Sequence, residues 1–189
     1  MSQPTTDEVS KSERILDAAL TVLATQGIAG VSMRAVAREA DVALGLANYY
    51  FENKTELISA ALRHIGTKDL ELVQSSSGDP GEALRTSLHR ALDPEFLTAS
   101  YLSLRLQLWS LAGVDPAFAE INRTGQQQYL DGLKGLLAAA RPDLTKREVA
   151  ERAADILIVQ NGVWLTAILI LDQAAVDRAL AQTEAIAFD

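Results

Sequence analysis

The chain has 189 residues, of which 48% are hydrophobic and 22% charged, and it carries 17 Lys+Arg against 25 Asp+Glu for a net charge of −8. That is a globular composition, long enough to bury a core without covalent staples. The absence of cysteine excludes disulfides, thiol nucleophiles, thiolate metal sites and iron–sulfur clusters. His64 and His89 are too few for a His-rich metal site, and the acidic balance excludes general polyanion binding, so any nucleic-acid contact must be local and specific.

Residues 1–9 are polar with one proline and are expected to form a disordered tail. They show no charged-then-apolar leader pattern, so a cytoplasmic location is expected. From there nearly every segment has helical spacing. Ile15, Ala18, Ala19, Val22 and Leu23 follow the i, i+3, i+4, i+7, i+8 rule, and Gly27 stands where that helix should stop. Ser32 can cap a short helix bearing Met33, Val36, Ala37 and Ala40. Asp41-Val42 makes a turn, and a second short helix runs from about 43 to 50. Asn53 and Glu56 approach a capping box for a longer helix with Leu57, Ala61 and Ile65 on its core face.

The Gln74–Gly81 run is the clearest linker. A helix with Leu84, Leu88, Ala91 and Leu92 follows. Pro94 and Pro116 are then placed to start helices of about 94–112 and 116–140. Arg141-Pro142-Asp143 breaks the chain before a helix of about 145–171 and a last one of about 173–187. The most apolar stretch, Ile156 to Leu171, falls short of the roughly 20 residues a bilayer needs. No alternating β pattern is present. The fold expected is all-α with about nine helices, divided into a first domain over 10–53 and a second over 54–189.

Two short helices across a tight turn, preceded by a longer helix, make the geometry of a helix-turn-helix. Val36, Ala37 and Ala40 would pack the first short helix, Val42 would plug the turn, and Leu46, Ala47 and Phe51 would anchor the second. Gly45 then faces outward, where a missing side chain lets backbone approach a groove. Asn48 can pair bidentately with adenine or merely hydrate the surface. Tyr49 can meet a phosphate or pack as a surface aromatic. Lys54 at a helix N-terminus opposes the macrodipole, which a nearby phosphate would justify.

This stretch resembles the TetR family of transcriptional regulators. The family's parts read here as Ala18-Ala19 through Gly27, Ser32 with Val36-Ala37, Val42 with Gly45, Tyr49-Tyr50-Phe51, and Lys54 with Leu57, over about residues 12–62. The segment around Trp109 and the run Gly162-Val163-Trp164-Leu165 have a slighter likeness to the choline-responsive BetI-type branch. The family's usual turn glycine is Asp41 here, and its usual serine opening the second helix is Ala43. Residues 1–60 hold five Lys/Arg against eight Asp/Glu, a net of −3. The resemblance implies a transcriptional regulator, expected to be a repressor that a small-molecule effector releases from double-stranded operator DNA. The expected DNA contacts are Ser32, Arg34, Leu44, Gly45, Asn48, Tyr49 and Lys54.

Tyr101, Arg105, Trp109, Asn122, Tyr129, Asn161 and Trp164 place polar or aromatic groups along otherwise apolar helices. They are the candidates for an effector pocket. The helices of about 145–171 and 173–187 have more apolar surface than one core contact uses, which points to a homodimer. No catalytic residue, metal site or cofactor is expected: the sequence has no Gly-x-Ser-x-Gly, no P-loop and no Glu-x-x-His. The alternative is a helical small-molecule carrier or enzyme with a vestigial helix-turn-helix.

Overall fold

The computed structural model describes residues 6–74 and 78–189. Among them are nine α-helices, one 3-10 turn and no strand. The helices are α1 (Thr6–Gly30), α2 (Met33–Glu39), α3 (Leu44–Tyr50), α4 (Lys54–Glu71), α5 (Pro80–Arg90), α6 (Ala99–Leu111), α7 (Pro116–Ala140), α8 (Lys146–Ala167) and α9 (Gln173–Phe188). Residues 6–9 of the expected tail belong to α1; residues 1–5, and 75–77 of the expected linker, lie outside the described residues.

Local chemistry explains most of the ends. Gly27 has φ +68°, so the chain leaves helical geometry there, at the residue type that does so without steric cost. Ser32 caps α2, its Oγ accepting from the Ala35 amide at 3.1 Å. Asn53 Oδ1 accepts from the Glu56 amide at 2.9 Å, while Glu56 reaches back to the Glu52 amide rather than to Asn53. Asp79 caps α5, and Thr145 with Glu148 forms a full capping box on α8.

Two expected helices are shorter than their apolar patterns. The helix expected over 94–112 is a 3-10 turn, Pro94–Leu97, followed by α6. Thr98 between them is extended (φ −72°, ψ 146°), and its hydroxyl accepts from the Tyr101 amide, so it competes with continuation of the helix. α8 ends at Ala167 instead of about 171, and Asp172 then caps α9.

The chain forms two compact units: residues through Ile65 with Ser103–Asn122, and Gly66–Leu102 with Arg123–Asp189. The first unit is larger than the expected 10–53 domain. Three helices of that size would be marginal alone, and the unit also includes buried Leu57, Ile58 and Ala61 of α4 and Leu104, Leu108 and Leu111 of α6. In the second unit, Leu84 and Leu88 of α5, Leu133 and Leu137 of α7, Val149, Ala153 and Ile156 of α8 and Ala187 of α9 form one core. Gly132 meets Val73 there: a Cβ on it would stand 2.5 Å from Val73 Cγ2. Gly135, in the same helix, faces open space.

The end of α9 is tied down by cations. Arg141 Nη1 donates to the Phe188 carbonyl at 2.6 Å, and Arg152 Nη1 to that of Ile186 at 2.6 Å. These are the last-turn carbonyls that a helix leaves without intrahelical donors, at the negative end of its dipole.

Candidate functional site

The first unit is organised around the turn between α2 and α3. Val36 and Ala37 of α2 and Ala47 of α3 are buried, as is Phe51 just after α3, so each short helix is held by one face. The Val42 amide donates to the Ala37 carbonyl at 2.9 Å, which closes the turn. Asp41 sits within it at φ +50°, the left-handed region. Asp tolerates that region better than most residues, yet less well than the glycine usual there.

Arg14 of α1 clasps the same turn. Its Nε donates to the Ala40 carbonyl at 2.9 Å and its Nη2 to the Asp41 carbonyl at 2.7 Å. In the sequence Arg14 is only one more cation on the first helix. Its acceptors lie 26 and 27 positions along the chain, and the packing of α1 against α2 is what brings a planar guanidinium fork to them.

The outward face of the motif is Arg34 and Arg38 on α2, then Gly45, Asn48 and Tyr49 on α3, all exposed. A Cβ at Gly45 would meet nothing within 4 Å, so the α3 backbone is open to a close approach. Tyr49 is 73% exposed with its ring edge-on to Tyr50 at 5.3 Å. Ser32 is exposed and capping, Leu44 is half-buried, and Ala43 opens α3 without a side-chain cap. Lys54 is half-buried and its Nζ donates to the Ile28 carbonyl at 2.8 Å. That bond gives the lysine at the start of α4 a partner within the protein. His64 pairs with Asp17 at 3.1 Å.

The seven candidate ligand residues divide between the units. In the first, Arg105 is buried with its guanidinium 5.6 Å from the Trp109 ring centroid, one turn along α6. Asn122 spends its amide on the Leu108 and Phe118 carbonyls, at 3.1 and 3.0 Å. In the second, Tyr101 donates to Asp69 at 3.2 Å and meets the Trp164 ring edge-on at 6.4 Å. Trp164 Nε1 donates to the Ala91 carbonyl at 3.0 Å, and Tyr129 donates to Gln160 Oε1 at 3.1 Å. Asn161 is half-buried. Gln160, 1% exposed, shows in the sequence only as a member of an apolar stripe. His89, which the sequence sets beside Arg85 and Asp93, bonds Glu184 of α9 at 2.9 Å.

On α8 and the segment after it, Ile158, Leu165, Leu169, Ile170 and Leu171 are each at least half exposed. Among the described residues there is no cluster of three or more His, Cys, Asp or Glu, and no helix is long and apolar enough to cross a membrane.

Comparison with known proteins agrees with this geometry. Residues 15–61 match the model of the bacterial regulatory proteins of the tetR family. The chain is 25% identical over 157 residues to the HTH-type transcriptional regulator BetI of Burkholderia thailandensis, covering 80% of this chain and 78% of that one. A TetR transcription regulator from Haloarcula marismortui has the same fold, with a TM-score of 0.81, 19% identity, and 95% and 97% of the two chains covered. The multidrug binding protein EbrR, solved with malachite green, aligns with a TM-score of 0.67 and 27% identity over 93% of this chain and 97% of that one.

Proposed function

We propose that this chain, which belongs to the TetR family of bacterial regulatory proteins, is a repressor that binds operator DNA as a homodimer and releases it when a small molecule binds the helical part. It is a DNA-binding transcriptional regulator, and this reading asks only for binding, in the cytoplasm, with no catalysis. The observation that carries it is the helix-turn-helix itself: two one-faced helices across a clasped turn, with Gly45, Asn48 and Tyr49 presented outward.

In this reading Asn48 reads bases and Tyr49, Ser32 and Arg34 meet phosphates. Leu44 and Gly45 line the approach, and Lys54 contributes through the carbonyl it holds at Ile28. With few cations available, the log–log salt slope for a dimer is shallow, on the order of −4 to −6 at about 0.9 per phosphate. The half-sites lie about one helical turn apart.

The dimer forms through α8 and α9. A row of exposed Ile158, Leu165 and Leu169 is a large apolar patch for a lone protomer. The small molecule bound by a relative such as EbrR supports an effector within the second unit, beside Tyr101, Tyr129, Asn161 and Trp164.

A gel shift with the DNA flanking the chain's own gene tests the reading. Asn48→Ala should relax preference at particular base pairs, and Ile158→Glu with Leu165→Glu should give monomers that lose the operator. No shift with that DNA by wild-type protein, or a wild-type monomer by sedimentation, refutes it.

A further inference from the structure

The second unit holds three side-chain polar atoms that are shielded from solvent without a partner among the described residues, Asn161 Oδ1, Gln160 Nε2 and Ser87 Oγ, and the last two belong to fully buried residues. Gln160 and Ser87 are 1% and 3% exposed. Unpaired buried polar groups are rare in native proteins and costly. Ser87 precedes Ala91 by one turn of α5 and Gln160 precedes Trp164 by one turn of α8, and Trp164 Nε1 bonds the Ala91 carbonyl. Each of these two orphans thus stands one helical turn before one end of that bond. Tyr129 donates to the other end of the Gln160 amide, so Gln160 is held with its NH2 group uncommitted.

The polarity is specific. An amide NH2 can only donate, and a hydroxyl can donate or accept. The buried polar side chains of this unit, among the described residues, are Ser87, Gln160 and Thr183, all uncharged. A charged ligand here would lose its hydration, a large penalty, and the Asp69 carboxylate near Trp164 is already engaged by the Tyr101 hydroxyl. Resting on the effector reading above, we infer that the effector is an uncharged, mainly apolar molecule carrying a hydrogen-bond acceptor of the carbonyl class, a ketone, ester, lactone or amide, which takes the Gln160 NH2 and the Ser87 hydroxyl beside Trp164.

Three aromatic probes of similar size separate the possibilities: acetophenone, which has a carbonyl; cumene, which has no polar group; and phenyltrimethylammonium, which is a cation. Each is titrated into the full-length wild-type protein and the Gln160→Met and Ser87→Ala variants, following tryptophan fluorescence and thermal stabilisation. Acetophenone should bind wild type about 5- to 100-fold more tightly than either other probe, the scale of satisfying a buried orphan. Gln160→Met should abolish that preference while raising the melting temperature of the ligand-free protein. Should Gln160→Met not fold, Ser87→Ala, a smaller change, should still reduce the preference. Equal or tighter binding of phenyltrimethylammonium, a preference that survives both substitutions, or no binding of acetophenone overturns the inference. Operator binding by ligand-free protein is measured alongside, so that failure of the regulator reading shows there and failure of the ligand class shows only in the titrations.

Discussion

Arg14 offers the sharpest test of how the DNA-reading motif is held. Arg14→Ala removes two charge-assisted hydrogen bonds, at 2.9 and 2.7 Å, from the carbonyls of Ala40 and Asp41. Bonds to charged donors contribute about 1.5–3 kcal/mol each in favourable settings. Arg14 is exposed, and solvent screening and water replacement cut this to about 1–2 kcal/mol for the pair. The loss falls on a turn already carrying a positive-φ aspartate. Asp41→Gly should therefore return roughly 1 kcal/mol, because left-handed geometry costs an L-residue about that much relative to glycine. At this chain length, each kcal/mol moves the melting temperature by about 2–4 °C.

The DNA assay discriminates the cause. A positioning role predicts that Arg14→Ala weakens operator binding with an unchanged salt slope, and that Asp41→Gly in the same chain restores part of it. A phosphate role predicts a slope shallower by about 0.9 per protomer. A shallower slope with unchanged stability would refute the clasp as the reason for Arg14.

Gly132→Ala should destabilise by about 1–3 kcal/mol, because its Cβ would press on stiff Val73. Gly135→Ala, in the same helix but facing open space, should stabilise by about 0.5–1 kcal/mol through helix propensity; paired urea melts giving the same sign for both would contradict the packing described. Ala43→Ser should cap α3, which now lacks a side-chain cap, adding about 0.5–2 kcal/mol by thermal melt and tightening operator binding. Glu184 is held below the ordinary glutamate range first by its hydrogen bond from His89 and then by that from Arg85. A lowered carboxyl value means stability that is present above the unfolded value, about 4.3, and is lost as pH falls through the folded one. Wild type should exceed Glu184→Gln in stability near neutral pH, with the gap closing below pH of about 4; a gap independent of pH would exclude the carboxylate as its source.

Periodicity and punctuation determined the helices, because burying one face of a helix is a local pattern that any fold must honour. Gly27, Ser32, Pro80 and Thr145 stop or start helices through their own backbone and side-chain chemistry, and each is readable in order along the chain. Thr98 and Asp172 are also punctuation, but apolar residues on either side mask them, so two apolar patterns run longer than the helices they mark. The outward face of α3 is legible for the same reason as its core face: both follow from one register. What only tertiary structure decided is where long side chains end. Arg14 reaches the turn 26 residues away, Lys54 the Ile28 carbonyl and His89 the α9 carboxylate of Glu184. The partners of such groups are set by which helices pack together. Gln160 shows the limit most clearly. Its place on the buried stripe is a property of spacing, but that its NH2 group has no partner there depends on every helix around it.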